Sequence, residues 1–332
     1  MTTISDVAAR ANVSTATASR ALNGKSSVDP VLAARVVAAA RELDYRPNGL
    51  ARNLRRRETA VLALIISDVE NPFFTAIARG VEDVAQAAGY SVVLCNTDEE
   101  AAKERRYVEV AIEEQMAGVI LSPTGVASAV DLLRDRQTPM VAVDRPLPGA
   151  ATDTVLVDSR QAARQATVHL AEQGYELIGC LTGPSGVRTA DDRLAGYRDG
   201  LRATKRRSAA RLVRRTEYRS AGAHQATLDL LSQPYPPDAL LVANSAMAVG
   251  VLQALAELDL RPGRDVGVVA FDDAPWAALL DPPLTVVAQP AYEIGSLAAQ
   301  LLLNRLTGSH TDPTTTTLSA QLVIRRSSTR HP

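Results

Sequence analysis

The sequence predicts a small all-α head followed by an α/β body of two lobes, each built on a parallel sheet. Three observations carry this. Charge is split along the chain: residues 1–57 hold ten Lys and Arg against four Asp and Glu, a formal +6, while the rest hold 26 against 33, a formal −7. Short segments with strong helix-capping residues fill the first 45 positions. From Thr59 onward, apolar runs of strand length alternate with amphipathic stretches of helical length, the mark of parallel sheets covered by helices. A chain of 332 residues, 46% of them hydrophobic, has material for two or three domains. A basic head on an acidic body suggests a polyanion-binding module joined to something else. No apolar run approaches membrane-span length, and MTTISDVAAR does not read as a signal peptide, so a cytoplasmic protein without membrane contact is expected. Cys95 and Cys180 lie in apolar runs and read as reduced core residues.

In the head, Ile4 to Ala11 reads as a helix with Ile4, Val7, Ala8 and Ala11 on one face. Asn12-Val13-Ser14 breaks it. Ser14 caps a second helix over Thr15 to Asn23, and Gly24 closes it. Asp29 caps a third helix with Pro30 at its first position and an apolar stripe of Leu32, Val36, Ala39, Ala40 and Leu43. Helices joined by so short a turn match a helix-turn-helix. At about 100° per residue, Ala18 and Leu22 define the buried face of the second helix, and Arg20 points the opposite way between Ala16 and Thr17. Small neighbours let such a helix enter a groove, and Arg suits bidentate contact with guanine. The hydroxyls of Ser14, Thr17 and Ser19 suit phosphate oxygens, and Thr15 and Asn23 complete the DNA-binding surface. A solvated arginine on an ordinary surface helix is the alternative.

Pro47 ends the third helix, and Asn48 can cap a short helix through Leu54 that is too short and glycine-bearing to stand alone. It reads equally as a basic linker. The segments TISDVAARANVSTATASRALNG, RPNGLARNL and SDVENPFF make the chain similar, over nearly its whole length, to the LacI/GalR family of bacterial transcriptional regulators. That resemblance implies a hinge helix that folds when two subunits meet on operator DNA, with Leu54 wedged into the minor groove, Ala51 beside it and Asn48 at its start. The commonest family pattern has valine where Ala18 stands, so a slightly loose recognition helix is expected.

In the body, VLALIIS, SVVLCNT, GVILSP, PMVAVD, LIGCLTG, ALLVANS and GVVAFDD read as buried strands, with helices such as FTAIARGVEDVAQAAG between them. The resemblance implies a core like that of periplasmic sugar-binding proteins, with a ligand cleft between lobes. The domains expected are 1–46 for the head, 47–58 for the hinge and 59–332 for the core, with one lobe over about 59–158 and 290–325 and the other over about 159–289. Ligands of open α/β sheets bind beyond the carboxyl ends of the strands. The scarce aromatics Phe73, Phe74, Phe271 and Trp276 fall there. So do Asp144, Arg193, Asn244 and Asp272-Asp273, whose donors and acceptors suit polyol hydroxyls. The resemblance places effector contacts at Asp144, Arg193, Asn244 and Asp272, with Tyr218 and Gln289. Helix capping is the competing role for the carboxylates, Asp273 above all. Many family members have Asp where this chain has Ser245. Arg145, Arg188 and Arg193 leave room for an anionic effector.

An enzyme would need more than Asp144 and Asp272 as a glycosidase pair. The sequence has no GxxxxGK[ST], no GxSxG and no HxxxH among His169, His224, His310 and His331, and GPSG at 183–186 reads as a turn. A transport receptor would not carry the basic head. The resemblance implies a transcriptional regulator, first of all a repressor, with neither cofactor nor metal. Release by an inducer, dependence on a corepressor and activation all stay open, and a homodimer on a palindromic double-stranded operator is expected. Its effector would be a sugar, sugar phosphate or nucleoside-like molecule. LVIRRSSTRHP offers no heptads for a tetramerising coil.

Overall fold

The computed structural model describes residues 2–22, 28–45, 59–125, 127–147, 151–309 and 312–330. Asn23, Asn48, Ala51 and Leu54, and with them the hinge expectation, lie outside the described residues. The chain forms two compact units, divided between Thr59 and Ala60.

In the first unit, α1 (Ile4–Arg10) starts in a capping box between Thr3 and Asp6. Helix α2 (Thr15–Leu22) follows Ser14, whose Oγ accepts from the Thr17 N–H at 3.1 Å. Helix α3 (Pro30–Glu42) is capped by Asp29, which accepts from the Val31 and Leu32 N–H groups. Val7, Ala8, Ala11, Ala18, Ala21, Val36, Ala39 and Ala40 form the core between them. Ser14, Thr15, Ala16 and Arg20 are exposed and Thr17 is half-buried. Ser19 is not free for a phosphate: it is buried beside Ala18, because α2 buries a wider stripe than the Ala18–Leu22 line.

The first lobe of the second unit runs β1 (Thr59–Ile66), α4 (Pro72–Ala87), β2 (Ser91–Asn96), α5 (Ala101–Glu113), β3 (Met116–Leu121), α6 (Ala127–Asp135), β4 (Met140–Val143) and β5 (Asp153–Val157). The second runs α7 (Ser159–Glu172), β6 (Ile178–Thr182), α8 (Arg188–Ala203), β7 (Val213–Arg215), α9 (Ser220–Leu231), β8 (Ala239–Val242), α10 (Ser245–Glu257), β9 (Gly267–Phe271) and β10 (Thr285–Ala288). The chain then returns to the first lobe for α11 (Ala291–Leu306) and β11 (Thr315–Leu318), and crosses again for β12 (Gln321–Val323). The sheets have orders β11-β5-β4-β3-β1-β2 and β12-β10-β9-β8-β6-β7.

The inner strands of each sheet read as apolar runs because both of their faces are covered, while β2, β7, β11 and β12 at the sheet edges are partly exposed. In β1, Leu62, Leu64 and Ile66 pack under α4 and α11, while Ala63 and Ile65 pack on the opposite face. In β8, Leu240 and Val242 face α9 and α10, while Ala239 and Leu241 face α7 and α8.

One boundary needs correction. Residues 319–325, expected in the first lobe, are not held there: β12 pairs antiparallel with β10 in the second. Leu322 and Val323 pack on the second lobe, Ser327 Oγ donates to the Val268 carbonyl at 2.7 Å, and Ser328 Oγ lies 2.8 Å from His169 Nε2. Buried polar partners of this kind pin a terminal segment more firmly than its sparse apolar content suggests.

Helix α10 lies against α9 at a contact only glycine permits. A Cβ on Gly250 would sit 2.0 Å from the Ser220 carbonyl oxygen. The helix starts set by this contact carry residues 219 and 244–245 at the cleft. Gly250→Ala should therefore destabilise the core by about 1–3 kcal/mol, the usual cost of overpacking, read as a lower urea midpoint at unchanged m-value. An unchanged midpoint would show that the helices separate freely.

Candidate functional site

The cleft is built on one turn used twice. Asp144 follows β4 and Asp272 follows β9, both left-handed at φ 66° and 73°. The Asp144 N–H donates to the Val155 carbonyl at 3.1 Å and the Asp272 N–H to the Val287 carbonyl at 3.0 Å. Non-glycine residues rarely hold this conformation, and they concentrate at functional sites. Both carboxylates are buried and line one cavity of about 550 Å3 between the lobes.

Arg193 rises from α8 and is 5% exposed. It donates to the Ala243 carbonyl, reaches Gln289 Oε1 at 3.5 Å and lies 4.3 Å over the Phe271 ring. Gln289 Nε2 donates to Asp272 Oδ1 at 2.6 Å, and Asp272 Oδ2 accepts from the Ser245 N–H at 3.2 Å. Asn244 caps α10, its Oδ1 accepting from the Met247 N–H at 2.8 Å, so its amide N–H groups are what it offers a ligand. Asn71 caps α4 in the same way and sets Phe73 and Phe74 edge to face, 5.1 Å apart. Tyr218 packs on Gly183, where a Cβ would come 2.3 Å from its ring. The GPSG turn thus makes room for an aromatic wall.

All eight effector positions expected from the sequence line this cavity: Phe73, Phe74, Asp144, Arg193, Tyr218, Asn244, Asp272 and Gln289. Other readings change. Phe271 is fully buried beneath Arg193, and Trp276 packs on the second-lobe core, so neither presents a face to a ligand. Asp273 does not cap a helix; it takes the Arg325 guanidinium through both oxygens, at 2.8 and 2.7 Å. Arg188 pairs with Asp192 on the surface. Arg145 is buried and neutralised, both its Nη atoms 2.6 Å from Glu99 and its Nε 3.3 Å from Asp144. Of the three arginines that made room for an anion, only Arg193 lacks a carboxylate salt bridge.

Sequence reasoning missed Asp68, Asn71, Asp98, Glu99, Glu100, Thr124, Glu217 and Arg219 on the wall. Only Asn71, a helix cap before Pro72 in ENPFF, carried a readable signal; the others lie in loops whose approach depends on tertiary packing. Below Thr124, buried Glu104 accepts the Thr124 N–H at 2.6 Å, and burial pushes its carboxyl above the usual range. Among the described residues no cluster of three His, Cys, Asp or Glu could hold a metal. Nor is any helix there long and apolar enough to cross a membrane.

Burial also raises the Asp144 carboxyl above its ordinary range, outweighing the pull of Arg145 and Arg193. The folded state therefore holds this proton more tightly than the unfolded chain does. Its contribution to stability is thus full below the usual Asp range and lost as pH rises through the raised value. Asp144→Asn should raise the melting temperature of the unliganded protein at pH 7, with the advantage shrinking in acid. Equal melting at pH 7 would show that the buried charge costs nothing.

Comparison with known proteins places these features. Residues 3–48 match the family described as bacterial regulatory proteins, lacI family, and residues 167–328 match a periplasmic binding protein-like domain. The chain is 36% identical to the ribose operon repressor of Halalkalibacterium halodurans, covering 98% of this chain and 96% of that one. It is 33% identical to the HTH-type transcriptional repressor CytR of Escherichia coli K12, over 99% and 97%. A crystal structure of the Lac repressor dimer bound to operator and the anti-inducer ONPF superposes with a TM-score of 0.86 at 27% identity, covering 98% of this chain and 99% of that one. The chain belongs to the lacI family of bacterial regulatory proteins, DNA-binding transcriptional regulators rather than enzymes.

Proposed function

We propose that this chain is a cytoplasmic repressor that binds a palindromic operator as a homodimer and answers to a small neutral sugar of ribose type in the interlobe cleft. The charge of the cleft wall carries the choice of effector. Seven carboxylates line it, Asp68, Asp98, Glu99, Glu100, Asp144, Glu217 and Asp272, against Arg145, Arg193 and Arg219. Arg145 and Arg219 already pair with carboxylates. A phosphate would meet net repulsion there and only one arginine without a carboxylate partner. Sugar hydroxyls both donate and accept, so they suit Asp144 and Asp272 on one side and Arg193 and Asn244 on the other, with Phe73, Phe74 and Tyr218 as apolar walls. The names of the ribose operon repressors at 36% and 34% identity support a pentose. Ribose should raise the melting temperature in a thermal-shift titration, by about 2.7 kcal/mol of stabilisation at a hundred times Kd. Ribose 5-phosphate should not, and Arg193→Ala should abolish the ribose response. A larger shift with the phosphate or with a nucleoside would reassign the effector.

For DNA, the reading rests on exposed Arg20 among Ser14, Thr15, Ala16 and Thr17 on α2. Leu54 is proposed as the hinge wedge from the family resemblance. If Arg20 reads guanine, Arg20→Ala should cost about 1–3 kcal/mol on the operator and relax preference at one base pair per half-site. A loss uniform across DNA sequences would make it a phosphate contact instead.

A further inference from the structure

Three side-chain hydrogen bonds cross the cleft among the described residues. At the mouth, Arg219 of the second lobe donates from Nη1 to Asp68 Oδ2 at 2.9 Å and from Nη2 to Asp98 Oδ1 at 3.1 Å. Deeper, Ser245 Oγ donates to Asn71 Oδ1 at 3.2 Å. The first-lobe partners are held in place by their own lobe. The Glu70 N–H fixes Asp68 at 3.0 Å, and Lys103 and Asn96 hold Asp98 at 2.7 and 3.0 Å. Asn71 Oδ1 is fixed by its cap on the Phe73 N–H. Both carboxylates of the Arg219 guanidinium lie across the cleft. Opening the lobes therefore strips a partly buried cation of its counter-charges, while the acceptors stay oriented to receive it again.

Ser245 fits the same scheme. It faces an acceptor oxygen whose direction the α4 cap dictates, so its hydroxyl can donate across the cleft.

We propose that Arg219 is a positioning residue that latches the lobes together in the effector-free protein, with Ser245 as the inner contact. The effector enters and leaves only when this latch opens. The lobe-closing half stands on geometry alone; the effector half rests on the sugar reading above.

The test uses the full chain without effector, spin-labelled at Arg106→Cys in α5 and Asp229→Cys in α9. The native Cys95 and Cys180 are buried. Electron–electron distance measurement at low salt should give one short interlobe distance. Arg219→Gln should add a longer one, Ser245→Ala should add it more weakly, and Arg219→Lys should restore most of the short population. About 1 M salt shrinks the screening length to about 3 Å, so it should move the wild type toward the Arg219→Gln distribution while leaving that variant unchanged. Ribose release from Arg219→Gln should be about three- to tenfold faster, the scale of two partly exposed ion pairs. Identical distributions in wild type and Arg219→Gln, or a wild type indifferent to salt, would overturn the latch. Distances that shift as described in a protein that binds no ribose would uphold the latch and sink the sugar reading.

Discussion

A guanidinium buried to 5% exposure is costly unless acceptors and a favourable ring face surround most of it. Arg193 has a carbonyl, a carboxamide and the face of a ring, while its Nε has no hydrogen-bond partner among the described residues. Each partner comes from a different part of the second lobe: Ala243 after β8, Gln289 after β10 and Phe271 at the end of β9. Arg193 itself comes from α8. Satisfying this one cation therefore requires three strands to end at the same level and one helix to pack in register with them. Gln289 then passes the constraint to Asp272, and Asp272 to the start of α10 through the Ser245 N–H. The polar floor of the cleft is one connected network, which explains why its members sit in strained or capping positions.

The first lobe answers with a related device of opposite balance. Asp144 occupies the same left-handed turn as Asp272, but its neighbouring cation, Arg145, is consumed by Glu99. The cation of the first-lobe wall is therefore neutralised before any ligand arrives. What remains for a ligand is a set of directional donors and acceptors with little net attraction for anions. A site of this kind selects by hydrogen-bond geometry and shape, as recognition of a neutral polyol demands.

The proposed latch uses weaker, less buried chemistry. Arg219 and Asp98 are partly exposed at the rim, where water and salt compete, and Asp68 is buried beside them. Lobes joined by strong interior networks but bridged to one another by modest contacts form a two-state element that a small ligand can bias. The chain passes between the lobes three times.

The sequence by itself determined the three head helices, the alternation of the body and seven of its strands, but not β5, β7, β10, β11 and β12. Caps at Ser14 and Asp29 and buried apolar runs are local signals, and local physics suffices to read them. Polar strand ends at Asp144, Asn244 and Asp272 were legible because a polar residue stops an apolar run, while the other cavity-lining positions came from the family resemblance and from the scarcity of aromatics. Tertiary structure alone decided which charges are spent. Arg145 and Arg193 look alike in the chain, yet one is neutralised by Glu99, 46 positions away, and the other lines the cavity without a carboxylate salt bridge. It decided that Phe271 supports a guanidinium instead of a ligand, that Ser19 turns inward, and that the last strand returns to the second lobe. It also brought Arg219 to Asp68 and Asp98, 151 and 121 positions distant. The physical reason is common to all of these. Pairing and burial of polar groups depend on which loops approach in space, and no periodicity along the chain encodes that approach.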